Sequence, residues 1–199
     1  MTRSGTIKTL ALLVASMSLG TCLLLWMETG PARPEGSLPL QAIKATQSGP
    51  ELAIVHQTDG GIPIQFIKWR NVIIHDTGQD GPKIAKACHF VVGSAETFGD
   101  GHIRCTRAWR RQQDGAHISV PGFNFNSNSI GICVMGDARR YRPTSRQFES
   151  LVRLVRTLQI TCSIPRDHVY LHSDLGEPGC PGRHFPAKGL RERLIPAVR

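Results

Sequence analysis

The chain has 199 residues, 40% of them hydrophobic, which suits one globular domain plus a short extra segment. Its six cysteines are scattered without a C-x-x-C pair, which excludes a small disulfide-stapled scaffold and a structural zinc site of the paired-cysteine kind. The formal net charge of +9 gathers at Arg107, Arg110 and Arg111 and at Arg139, Arg140 and Arg142. It gives a basic surface without any nucleic-acid recognition motif, so nucleic acid is not an expected partner.

In chain order, Arg3 and Lys8 precede an uncharged run from Thr9 to Met27, close to the ~20 residues that cross a bilayer. The positive flank predicts an N-terminus in the cytoplasm and a domain outside the cytoplasmic membrane, periplasmic or extracellular. An uncleaved signal anchor over residues 1–28 is the expectation. A cleaved signal peptide and a lipoprotein signal ending at Cys22 are the alternatives, and all three export the domain. Residues 29–61 are rich in Pro, Gly, Ser, Gln and Thr and read as a linker. The globular domain is expected over 62–199.

Within it, Trp69–His75 is a β-branched run that delivers His75, Asp76 and Thr77 to a strand end. His89–Gly93 and His102–Thr106 read as strands joined through Gly99-Asp100-Gly101, and Ser129–Gly136 as an apolar central strand. One register of this hairpin sets Cys88 opposite Cys105. That pair is either a disulfide or two reduced core thiols. Thr144 to Ile160 is the clearest helix: Thr144 and Gln147 make a capping box, and Phe148, Leu151, Val152, Val155 and Leu158 follow at helical spacing. Val169–Leu171 is a last strand leading into His172. Strands mixed with helices predict an α/β layer fold around a central sheet.

Two strands thus end in His75 and His172, and Cys180 follows in a Gly/Pro-rich loop. Two imidazoles and a thiolate form a three-ligand set with an open fourth position, as in catalytic zinc sites. Each residue alone has a plainer reading, a polar loop histidine or half of a disulfide. The order of motifs adds the weight. Ile73–Thr77, His89–Gly93, Gly115-Ala116-His117, Ser129–Asp137, Pro143-Thr144 with Gln147, and His172-Ser173-Asp174 through Cys180-Pro181-Gly182 follow one another along the chain. In that order they resemble the zinc-dependent N-acetylmuramoyl-L-alanine amidases, which share a fold with peptidoglycan recognition proteins and phage amidase-lysozymes.

The resemblance implies a central mixed β-sheet flanked by helices, zinc bound by His75, His172 and Cys180, and peptidoglycan or muropeptides as partners. The implied reaction is cleavage of the amide between N-acetylmuramic acid and L-alanine. Two positions depart from the family pattern: Cys88 stands where a Tyr is usual, and Pro178 where Lys or Thr is usual. The short stretch between His75 and Cys88 implies a trimmed groove wall. Glu177 as a base and His117 as an oxyanion or substrate donor are the catalytic candidates, Glu177 being otherwise a solvated loop carboxylate. His117 and Asn128 are the substrate-binding candidates. Asp174 and Asp76 suit loop bracing. The other class of function is a peptidoglycan-binding module that has lost turnover. A Cys–His protease built on Cys180 does not fit the Pro181-Gly182 that follows it. The sequence leaves the oligomeric state open.

Overall fold

The structure is a computed structural model that describes residues 49–78 and 81–196. The expected membrane segment, residues 1–28, and most of the expected linker lie outside the described residues. Among the described residues no helix is long and apolar enough to cross a membrane.

Five short strands form one mixed sheet in the order β3-β2-β4-β1-β5. They are β1 (Asn71–Asp76), β2 (Phe90–Val92), β3 (Ile103–Cys105), β4 (Ser129–Val134) and β5 (Val169–Leu171). β1 lies between β4 and β5 and runs parallel to both, and only the β2–β3 pair is antiparallel. Both central strands, β1 and β4, are buried along their whole length, as parallel strands covered on two faces must be. Successive side chains alternate between those faces. Val72 and Ile74 join Ile130, Ile132, Phe90 and Val92 in the main core, while Ile73, His75, Gly131 and Cys133 point the other way.

The main core is closed by helix α4 (Ser145–Thr161), which buries Leu151, Val152, Leu154, Val155 and Leu158. The expected cap is present. Thr144 Oγ1 accepts from Gln147 N at 3.0 Å, and Thr144 N donates to Gln147 Oε1 at 3.1 Å. Shorter helices surround this frame: α1 (Pro50–Val55), α2 (Gly81–Ala87), α3 (Arg107–Arg110) and α5 (Ala187–Arg193). α2, seven residues long, lies in the short stretch between His75 and Cys88.

Two expectations are corrected. Folded sequence begins by Pro50 rather than Ile62: Val55 is fully buried and accepts a hydrogen bond from Trp109 Nε1 through its carbonyl, and Glu51 pairs with Arg153 at 2.7 Å. Pro50 at the first helical turn and the buried Val55 make α1 part of the core rather than linker. The hairpin register also differs, because a Ser94–Thr97 turn lengthens the loop and Gly93 N donates to His102 O. Cys105 therefore faces Phe90, not Cys88, and its thiol donates to Gln57 Oε1 at 3.1 Å. Cys88 instead forms a disulfide with Cys133, on the opposite face of the sheet from the main core.

Candidate functional site

The face of the sheet turned away from α4 carries the polar residues. His75 sits near the C-terminal end of β1, only 1% exposed, with Cys133 beside it on β4. On the other side β5 keeps register with β1 through Leu171, so His172, the next residue, arrives beside His75. Their Nδ1 atoms are 3.1 Å apart, and Cys180 Sγ lies 3.9 Å from His75 Nδ1. All three donor atoms fall within 4.8 Å of one another.

Two carboxylates fix the pieces that carry this cluster. Asp76 Oδ2 accepts from Ala138 N at 2.8 Å and from Gly182 N at 3.3 Å, tying the Cys180 loop to the segment after β4. Asp174 Oδ2 accepts from Leu171 N, and the carboxylate takes Arg191 Nη2 at 2.8 Å, bracing the turn His172–Leu175.

His117 lies behind His75, away from Cys180. Its Nδ1 is 3.2 Å from His75 Nε2, and its Nε2 is 3.4 Å from Ser129 O. One tautomer pattern satisfies the chain: His117 Nε2–H donates to the carbonyl, His117 Nδ1 accepts from His75 Nε2–H, and His75 Nδ1 keeps its lone pair toward the cluster. Two glycines make room for the His117 ring. A Cβ on Gly131 would stand 2.5 Å from His117 Cδ2, and one on Gly115 would meet the same atom.

Burial keeps these imidazoles neutral. The pKa of His75 is held well below its usual value by desolvation, with repulsion from His117 and His172 adding to it. Desolvation likewise lowers His117 to about 3, and lowers His172 against the opposing pull of Glu177. Burial also pushes the Cys180 thiol up to about 12, so the protein alone does not favour a thiolate there. Such a donor set fits a cation. Two ligands 2.0–2.1 Å from a tetrahedral zinc stand about 3.3 Å apart, near the 3.1 Å between the imidazoles. A divalent ion would favour the thiolate that burial disfavours.

The three expected ligands are therefore together. Glu177 is on the loop between two of them, exposed, with its carbonyl accepting from Cys180 N at 2.9 Å. His117 is not at an open surface: it is buried, and both ring nitrogens are engaged, which leaves neither for substrate. Asn128 stands at the other end of the strands from His75, where Asn71 Nδ2 and Ser129 Oγ donate to its Oδ1. The sequence reading missed the Cys88–Cys133 bond, although the alternation of β4 placed Cys133 on the His75 face. It also missed the rings of Phe123, Phe125 and Tyr170, which gather along β5.

Residues 47–183 match the family model described as N-acetylmuramoyl-L-alanine amidase. No curated protein matches. Among solved structures, the N-acetylmuramoyl-L-alanine amidase LysC of Clostridium intestinale aligns with 68% of this chain and 91% of its own, at 22% identity and a TM-score of 0.52. AmpDh3 of Pseudomonas aeruginosa aligns with 65% of this chain and 61% of its own, at 22% identity and a TM-score of 0.54. The same protein in complex with an anhydromuramic pentapeptide gives 23% identity and a TM-score of 0.51, with 65% of this chain and 61% of that one covered. At these identities the structural likeness concerns the fold.

Proposed function

The chain belongs to the N-acetylmuramoyl-L-alanine amidase family, and on that premise we propose that it is a zinc-dependent hydrolase of the muramoyl–L-alanine amide in peptidoglycan or its fragments. The observation that carries this reading is the convergence of His75, His172 and Cys180, two neutral imidazoles and a thiol, on one point. Zinc held there supplies Lewis acidity for the scissile carbonyl and brings the pKa of water toward ~7.

The chain's own residues do the rest. His75 presents Nδ1 because His117 accepts from its Nε2. Asp76 and Asp174 fix the two loops that bring His172 and Cys180 to it. The exposed Glu177 carboxylate, close enough to act on His172, is the group available to take a proton from water and return it to the leaving amine. Export through the apolar segment Thr9–Met27, with the domain held at the outer side of the cytoplasmic membrane, belongs to the same proposal. The Cys88–Cys133 disulfide supports it, since such bonds persist in oxidising compartments.

A second reading has two observations in its favour. Cys88 is tied into a disulfide and Pro178 carries no donor, so neither supplies a proton or an oxyanion contact. A binding module of the same fold would tolerate both. Incubation with soluble muropeptides separates the two. The hydrolase releases stem peptide, loses that activity to a chelator and regains it with one equivalent of zinc. Tight muropeptide binding with no release by the zinc-loaded chain would establish the binding module.

A further inference from the structure

Two surfaces of opposite chemistry flank the His75–His172–Cys180 cluster. The first is aromatic. Tyr170 shares the site face of β5 with Ile73 of β1 and lies one strand step, about 7 Å, before His172. Its ring centroid is 6.4 Å from that of Phe125, which is 6.0 Å from that of Phe123. The outermost ring, Phe123, is 69% exposed, and its backbone makes only a local bridge with Val120.

The second surface is cationic and lies beyond the C-terminal ends of the strands. Arg139 Nε donates to Gly179 O at 3.2 Å, next to Cys180, and the side chain is exposed. No carboxylate among the described residues pairs with it. Its backbone is fixed as well, because Gly182 packs directly against Ala138 and Arg139. The His75–His172–Cys180 cluster therefore stands between an aromatic strip and a guanidinium that has no carboxylate partner among the described residues.

We infer that the groove is polarised: the Phe123–Phe125–Tyr170 strip takes a sugar ring, and Arg139 takes a carboxylate of the peptide on the other side of the scissile bond. The inference rests on the amidase reading, since a muramoyl–peptide amide has a sugar on one side of the bond and an acidic peptide on the other. The axial C–H faces of a pyranose stack on aromatic rings, whereas a carboxylate set against the negative ring face is repelled. A guanidinium prefers a carboxylate to a neutral sugar because of its charge and its forked donors. The reverse orientation would lose both contacts.

Three ligands with the same peptide test this on the full zinc-loaded chain: the N-acetylmuramoyl peptide, the lactyl peptide that lacks the sugar ring, and the muramoyl peptide with its carboxylates amidated. Phe123→Ser and Tyr170→Val should each lower kcat/KM for the muramoyl peptide about 3- to 10-fold and leave the lactyl peptide unchanged. Arg139→Gln should lower kcat/KM about 10-fold for both ligands with free carboxylates and leave the amidated one unchanged. Phe123 is exposed enough for its replacement to leave folding intact. Equal losses on muramoyl and lactyl peptides in the Phe123 and Tyr170 variants, or an Arg139 effect that survives amidation, would overturn the inference. If the wild-type chain cleaves none of the three, the hydrolase reading fails and the same comparisons are made on binding affinity. There, a wild type that binds muramoyl and lactyl peptides equally overturns the polarised groove, and a sugar-dependent gain that Phe123→Ser removes upholds it.

Discussion

Replacing His117 by Leu removes the acceptor opposite His75 Nε2 and frees the His75 ring to carry its proton on either nitrogen. Partners of this kind typically contribute 10- to 100-fold in metal affinity, so zinc binding should weaken by about that factor. Asn at position 117 places Oδ1 near the site of Nδ1 and should recover most of the loss. A competitive chelator titration reads both variants, and wild-type affinity in His117→Leu would contradict the role. Glu177→Gln should leave zinc content intact and lower kcat by about 100-fold or more if the carboxylate moves the proton. An unchanged kcat would leave Glu177 a solvated loop residue. At this scale the sequence was informative about identity and poor about direction. His75, His172 and Cys180 were recognisable because strand ends and motif order pointed to the same residues. His117 was recognisable as part of a motif, but whether its ring faces open solvent or His75 depends on Gly115 and Gly131, whose missing side chains leave the space it fills.

Among the elements, α4 was the most legible. Its apolar positions repeat at helical spacing and its cap is a local pattern, so nothing distant was needed to place it. Thr144→Ala should cost about 1 kcal/mol in denaturant unfolding, the usual worth of such a cap. An effect indistinguishable from zero would mean that Gln147, which also donates to Met135 O at 2.7 Å, holds the helix start alone. The β2–β3 hairpin was less legible. Its strands were placed correctly, but register depends on where the turn closes, and a Ser94–Thr97 hydrogen-bonded turn is hard to see from composition. That shift took Cys105 away from Cys88 and left Cys88 to bond across the sheet to Cys133. α1 and α5 are too short for periodicity to reveal, and their evidence is tertiary: buried Val55 in one and buried Leu190 in the other.

For the molecule as a whole, the fold concentrates buried imidazoles on one side of its sheet, and stability should depend on pH accordingly. His89 is fully buried, accepts from Gly131 N at 3.0 Å through Nδ1 and donates to Gln113 O at 3.0 Å through Nε2. Desolvation lowers its pKa to about 4, opposed by the Gln113 carbonyl. A folded-state pKa below the unfolded one means the unfolded chain takes up the proton first. The stabilisation from neutral His89 is thus complete above pH ~6.5 and is lost as pH falls toward ~4. Between pH 7.5 and pH 5 the metal-free wild type should lose about 2 kcal/mol more than His89→Gln. Equal losses in the two proteins would contradict the assignment.

Whether this sheet end cleaves the muramoyl–L-alanine bond is tested most directly by product mass. A muropeptide treated with the zinc-loaded chain should yield two species whose masses sum to the substrate plus one water: intact N-acetylmuramic acid with its lactyl carboxyl free, and a stem peptide beginning with unmodified L-alanine. Cleavage at any other bond, or recovery of unchanged muropeptide from a chain shown to carry zinc, would contradict the account.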